Sequence, residues 1–278
     1  MLLDYLAERL SVVDRAAWAE RLARGEVLDD AGQPLPPEAP FQPGARIHYY
    51  RHLDDEPAIP FIEAVLFQDE HLLVADKPHF LPVTPGGRYV QQSLLVRLKR
   101  STGIDTLSPI HRIDRETAGL VLFSVRAQDR NAYQALFRDR AVRKTYEAIA
   151  PHRPDLSFPL TRRSRIEEDS ERFFRMVEAD GEPNSETRIE RTEVHGAWAR
   201  YTLSPVTGKR HQLRVHMNAL GAPIAGDQFY PHVLRGPDDT EDFADPLRLL
   251  ARGIAFTDPV TGMGRRFESG RVMAWPHD

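Results

Sequence analysis

The residues of this 278-residue chain with the most chemical potential lie in three short clusters. In the first, His111-Arg112-Ile113-Asp114-Arg115, a carboxylate sits between two arginines, shortly before the apolar run Leu120-Val121-Leu122-Phe123. Flanking guanidinium groups favour the charged form of a carboxylate, even in a pocket from which water is largely removed. An ionised, partly desolvated Asp114 is a competent nucleophile. The same five residues would equally serve as an Asp–Arg brace that stiffens a loop.

The second cluster runs from Thr207 to His216 as TGKRHQLRVH. Thr207 is placed to cap a helix in which Leu213, Met217 and Leu220 form an inward stripe and which Gly221 ends. Arg210 and Arg214 are one turn apart and are expected on one face of it, where their forked donors suit a carboxylate or a phosphate. A solvated basic face is the alternative. The third cluster, Arg143-Lys144-Thr145-Tyr146, reads as a strand that opens with cations and presents a tyrosine. Its ring suits stacking on a nucleobase and its phenol suits proton exchange, while packing within a sheet is the plain alternative.

Other chemistries lack their residues. His111-Arg112 with Asp114 has the start of a kinase catalytic loop, but the downstream Asn and a Gly-rich ATP loop are missing. No Glu follows His211, so His211 and His216 do not make the metalloprotease pattern. Phosphate-binding GxxxxGK[ST] and the GxSxG elbow are absent, and eleven histidines without ligand spacing do not imply a metal. The chain has no cysteine, which removes disulfides and thiolate chemistry.

An apolar fraction of 41% and a charged fraction of 28% are those of a globular protein, with no run long enough to span a membrane. The N-terminus lacks the pattern of a signal peptide, and a cytoplasmic location is expected. The net charge of −4 is not that of a basic nucleic-acid binder, but its distribution is uneven. Arg126, Arg130, Arg138, Arg140, Arg143 and Lys144 face only Asp129 and Asp139 in their stretch, and Lys209, Arg210 and Arg214 form a second basic group. A polyanion fits one face of such a molecule.

The elements that must hold these clusters follow from periodicity. Leu3, Leu6 and Leu10 predict a first helix, and Ser11 with Asp14 resembles a capping box for a second through Trp18 and Leu22, ended by Gly25. A strand is expected at 47–50 and a linker at 52–57. Beyond it, strands are expected at 64–67, 72–75, 119–125, 146–150, 187–192 and 198–203, and helices at 91–99, 127–137 and 210–220. Adjacent strands without intervening helices predict an α+β fold with much antiparallel pairing. The acidic stretch 236–246 reads as an exposed loop.

Taken together, the clusters resemble the RluA-type family of RNA pseudouridine synthases. The family pattern HR(L/I)DRxT(S/A)GL is met by HRIDRETAGL over 111–120, K.Y by Lys144-Thr145-Tyr146, and G(R/K)(T/R)HQLR.H by residues 208–216. Asp69 to Pro78, with Leu81-Pro82-Val83 and Pro85-Gly86, is similar to the segment "D..LLVVNKP.GLPVHPG". Pro223 to Asp227 with Tyr230, and Leu250 with Phe256 to Pro259, fit the C-terminal part. The resemblance covers about residues 60 to 272. Ala118 replaces a commoner serine, Thr84 a histidine and Leu250 a frequent histidine.

This resemblance implies a mixed, largely antiparallel sheet with flanking helices and a central RNA cleft. Residues 1–55 are similar to a shortened S4-like RNA-binding unit, and 56–278 would be the catalytic domain. Asp114 would be the catalytic carboxylate, Tyr146 the group that stacks on the uracil and takes its C5 proton, and Arg214 the partner of Asp114. Leu213 would pack under the base, and Arg112, Arg115, Lys144, Lys209, Arg210 and His211 would contact RNA. The implied reaction breaks the N1–C1′ bond of a uridine in rRNA or tRNA, rotates the uracil and joins C5 to C1′. Such an isomerisation needs no cofactor or metal. Attack at C1′, attack at uracil C6 and removal of the C2′ proton are all open to Asp114. A duplex uridine must first leave its stack. A monomer acting on RNA is expected; the rival is a non-catalytic RNA-binding or RNA-folding protein on the same scaffold.

Overall fold

A computed structural model describes residues 1–10, 13–49, 56–236, 239–240 and 242–276. The chain divides into two units, Met1–Asp54 and Asp55–Asp278. In the first, α1 (Leu2–Arg9) and α2 (Arg15–Ala23) bury Leu2, Leu3, Leu6, Trp18 and Leu22 against β1 (Val27–Leu28), which pairs with β2 (His48–Tyr49). Leu10, expected in the apolar stripe, is exposed just past the end of α1. Asp14 caps α2 by accepting from Ala17 N at 2.7 Å, and Gly25 follows its end at φ +70. Ser11, Tyr50 and positions 52–55 of the expected linker lie outside the described residues.

The second unit is built on β3 (Ala64–Gln68), β4 (Leu72–Lys77), α3 (Leu94–Thr102), β5 (Ser108–Pro109), β6 (Ala118–Ser124) and α4 (Arg130–Arg138). It continues through β7 (Arg143–Pro151), β8 (Leu160–Glu168), β9 (Met176–Ala179), β10 (Ser185–His195) and β11 (Trp198–Pro205). The helix α5 (Gln212–Ala219), β12 (Leu249–Thr257) and β13 (Gly264–Glu268) complete it. The sheet runs β3-β4-β6-β12-β7-β11-β10-β8-β9, with β5 on β6 and β13 on β12. Its one parallel joint among the described residues is β6 with β12, where Ala118 pairs with Leu250 and Gly119 with Ala251. The fold is therefore α+β with a largely antiparallel sheet.

That joint explains two features of the sequence. Gly119 has φ +111, and a Cβ on it would lie 2.3 Å from the carbonyl oxygen of Ala251, so only glycine permits the approach. Ala118 and Leu250, which depart from the family pattern, share one buried cluster with Ile149 and Met273. An apolar pair stands where the pattern carries a hydroxyl and an imidazole.

Several expected boundaries shift for local reasons. The helix expected at 91–99 begins at Leu94, because the Glu56 carboxylate takes the amides of Val90, Gln91 and Gln92 at 2.8, 2.8 and 2.5 Å. The helix expected at 127–137 begins at Arg130 after a turn closed by Asp129 N on Arg126 O. β8 escapes the hydropathy reading because LTRRSRIEE carries charge on both faces. The acidic stretch 236–246, expected to be an exposed loop, is anchored by Phe243, which packs edge-on against Phe61 and Phe80; residues 237, 238 and 241 lie outside the described residues.

Candidate active site

Asp114 lies in the loop that leads into β6, held by a turn in which Thr117 N donates to Asp114 O at 3.1 Å. The loop is anchored from behind by Lys77 at the end of β4. Its fully buried ammonium donates to the carbonyls of Pro78, Leu81 and Arg115 at 3.0, 2.7 and 2.9 Å. Burial draws its pKa down to about 7, and the carboxylates of Glu116 and Asp114 oppose the fall. His111 also braces the loop. Its ring stacks on Phe137 at 4.5 Å and its Nε2 accepts from Leu122 N at 3.2 Å, while burial lowers its pKa to about 3.

Arg214 faces this loop from α5. Every residue from Gln212 to Met217 is buried, so each polar side chain there must find a partner inside the protein. Gln212 donates to Glu186 O and Thr187 Oγ1 and accepts from Thr207 Oγ1 and Lys209 N. His216 meets the hydroxyls of Ser164, Ser185 and Thr187. Arg214 is matched by Asp227, to which Nε donates at 2.8 Å and Nη2 at 2.6 Å.

The third nitrogen, Nη1, points at the Asp114 loop. It is buried without a hydrogen-bond partner and lies 3.6 Å from Asp114 Oδ2 and 3.6 Å from Glu116 Oε2. Burial opposes the guanidinium charge, but Asp227, Glu116 and Asp114 together raise its pKa above the ordinary arginine range. Burial also works against the Glu116 charge, yet Arg214 and Arg115 outweigh it and bring its carboxyl down to about 2. Three carboxylates thus share the two guanidinium groups they touch. Asp114 is the most accessible of the three, 25% exposed against 9% for Glu116 and 0% for Asp227.

Asp114 and Arg214 line a cavity of about 360 Å³. Tyr146, Lys144 and Leu213 are in its wall, and Tyr146 packs against the apolar cluster that contains Leu213. Burial and the Asp114 charge together push the Tyr146 phenol above the ordinary tyrosine range. Lys144 donates to Thr207 O at 3.2 Å, its pKa lowered by burial and by Arg140. Exposed Arg112 and Lys209 and buried His211 border both this cavity and a second one of about 610 Å³. Arg115 and Arg210 line the second cavity instead; Arg115 lies over the Tyr89 ring at 5.6 Å and pairs with Glu116.

One expectation for the basic cluster is overturned. α5 begins at Gln212 with His211 before it at φ 54, so Thr207 does not cap the helix and Arg210 is not on it. Arg210 is exposed, donating to Phe173 O at 2.9 Å and lying 3.6 Å from Glu168, whereas Arg214 is buried. The two do not share a face. Lys77, Glu116 and Asp227 escaped the reading of the residues as site components. A lysine two residues past the strand expected at 72–75 was the available signal for the first.

Residues 71–219 match the RNA pseudouridylate synthase family. An uncharacterized RNA pseudouridine synthase of Synechocystis sp. is 32% identical over 235 residues, 82% of this chain and 79% of the relative. The dual-specificity RNA pseudouridine synthase RluA of Haemophilus influenzae is 30% identical over 234 residues, covering 77% of this chain and 94% of that enzyme. The structure of human RNA pseudouridylate synthase domain containing 1 superposes with a TM-score of 0.62 at 21% identity, over 78% of this chain and 86% of the human one. With its motifs and sequence relatives in agreement, the chain belongs to the RluA-type RNA pseudouridine synthases, isomerases that act on RNA.

Proposed function

We propose that the 360 Å³ cavity receives the uracil of an extruded uridine and that Asp114 is the carboxylate that acts on it. The observation that carries this reading is the Asp114 carboxylate, partly exposed in the cavity wall, with a buried guanidinium nitrogen 3.6 Å away. Fixed charge aimed at the reacting group in a site of restricted water is the strongest catalytic device available to a protein. Each route, attack at C1′ or C6 or removal of the C2′ proton, needs Asp114 as an anion, and Arg214 supports that form in all three.

Tyr146 supplies a ring for stacking against the uracil and Leu213 an apolar floor. The phenol starts protonated, because burial and the Asp114 charge both oppose phenolate. As N1 leaves C1′ the phenol passes its proton to N1, and the phenolate so formed takes the C5 proton after C5 has joined C1′, which restores the phenol. Exposed Arg112 and Lys209, with the half-buried Lys144 in the wall, meet the RNA backbone, with a uridine of rRNA or tRNA as the target. The relatives named dual-specificity enzymes fit a site that selects an extruded base rather than one long sequence.

The test is release of tritium from rRNA and tRNA transcripts labelled at uracil C5. The wild-type enzyme releases it and Asp114→Asn does not, while both retain the same RNA Kd. Turnover by the Asn variant near the wild-type rate refutes the role of Asp114.

A further inference from the structure

The larger cavity shares Asp114 and its neighbours with the smaller one, but its opposite wall belongs to another part of the fold. There Phe174, in the connection between β8 and β9, packs on Phe229 at 5.2 Å. Phe229 in turn carries the Arg214 guanidinium at 4.9 Å. Beside Phe174, Phe173 meets its neighbour's ring edge-on at 5.6 Å and is 71% exposed.

The turn that displays Phe173 is well fastened. Asp169 N donates to Arg175 O at 3.0 Å, Arg175 N to Arg172 O at 2.8 Å, and Arg210 to Phe173 O at 2.9 Å. Arg175 also lies over the Tyr230 ring at 5.0 Å. The fold thus holds a large apolar ring in water, next in sequence to the Phe174 that lines a cavity reaching Asp114. An exposed aromatic on a fixed turn is a ready surface for a partner with a flat apolar face.

Charge says what the turn offers. Glu167 pairs with Arg165, Glu168 with Arg210 and Asp169 with Arg175, which leaves Glu171 and Arg172 as opposite charges on the exposed turn. The tip is close to neutral, so its contribution is a ring rather than a phosphate contact. We propose that Phe173 is a stacking platform for an unpaired base of the substrate RNA that neighbours the target uridine, reached across the larger cavity. This rests on the reading that the smaller cavity takes the target uracil.

The experiment uses whichever C5-tritiated rRNA or tRNA transcript the wild-type enzyme turns over, and the same transcript with abasic nucleotides flanking its target. Phe173→Ala raises KM and Kd roughly 5- to 150-fold, the range for loss of one stacked base. kcat, the melting temperature and the salt dependence of Kd stay at wild-type values, since no phosphate contact is removed. Phe173→Trp restores KM, and Phe173→Leu does not. On the abasic transcript wild type and Phe173→Ala converge.

Equal KM for wild type and Phe173→Ala on the intact transcript overturns the platform, as does rescue by leucine, which would mark simple apolar packing. If no transcript releases tritium with the wild-type enzyme, the reading of the smaller cavity fails instead, and the platform falls with it.

Discussion

Asp227 occupies two of the three nitrogen atoms of the Arg214 guanidinium and thereby decides that Nη1 alone faces Asp114. Asp227 is itself fixed, since its Oδ1 accepts from the amides of Phe229 and Tyr230 at 2.8 and 3.2 Å. A chain of backbone, carboxylate and guanidinium therefore sets the position of the cation beside Asp114.

Asp227→Asn breaks this chain. Oδ2 faces Nε and Oδ1 faces Nη2, and the amide puts an NH₂ group in one of these positions, donor against donor. A buried guanidinium then loses its matching charge, a change that costs about 3–5 kcal/mol. We expect a lower melting temperature and a fall in kcat beyond what the lost folded fraction explains. A variant with wild-type stability and turnover would show that Arg214 is oriented by other means.

Tyr146→Phe keeps the ring and removes the phenol. Stacking and shape persist, so KM changes by a few-fold at most, while loss of the proton acceptor lowers kcat by about 10²- to 10⁴-fold. Rapid-quench tritium release separates the two constants. Unchanged kcat would assign Tyr146 to stacking alone.

Legibility in the sequence followed how local each relationship is. The Asp114 loop and the strand after it lie within 14 residues, and motif spacing exposes them directly. Tyr146 reads as a strand residue because Ala148, Ile149 and Ala150 follow it into the core. The Asp227 clamp was not legible, since nothing in a Gly-Asp pair states which arginine folds back on it. Glu116 has the look of a loop acid and becomes a site residue only through two guanidinium groups from different elements. Arg210 and Arg214 were read together because helical spacing was extended through residues 208–211, where His211 adopts a left-handed turn before the helix begins. Phe173 sits in a charged hairpin whose strands have no clean alternation, and its exposure is a property of the tertiary fold alone.

The buried imidazoles make stability depend on pH in one direction. Burial lowers the pKa of His79 and His216 to about 4 and that of His111 to about 3, from an ordinary 6.5. As pH falls below 6.5 the unfolded chain takes up these protons first, while the folded protein keeps the rings neutral. Bound protons then favour the unfolded state, so stability is full above pH 6.5 and declines toward about pH 4. Glu116, lowered to about 2 from 4.5, adds a decline of the same sign below pH 4.5, as the unfolded carboxyl is protonated first. Each imidazole contributes on the order of a few kcal/mol once the window is crossed. His216→Gln keeps hydrogen-bonding groups toward the hydroxyls of Ser164, Ser185 and Thr187 but cannot titrate, so its urea midpoint falls less than that of wild type between pH 7 and 5. Parallel midpoints for the two proteins across that range would mean that His216 is protonated at the same pH whether the chain is folded or not.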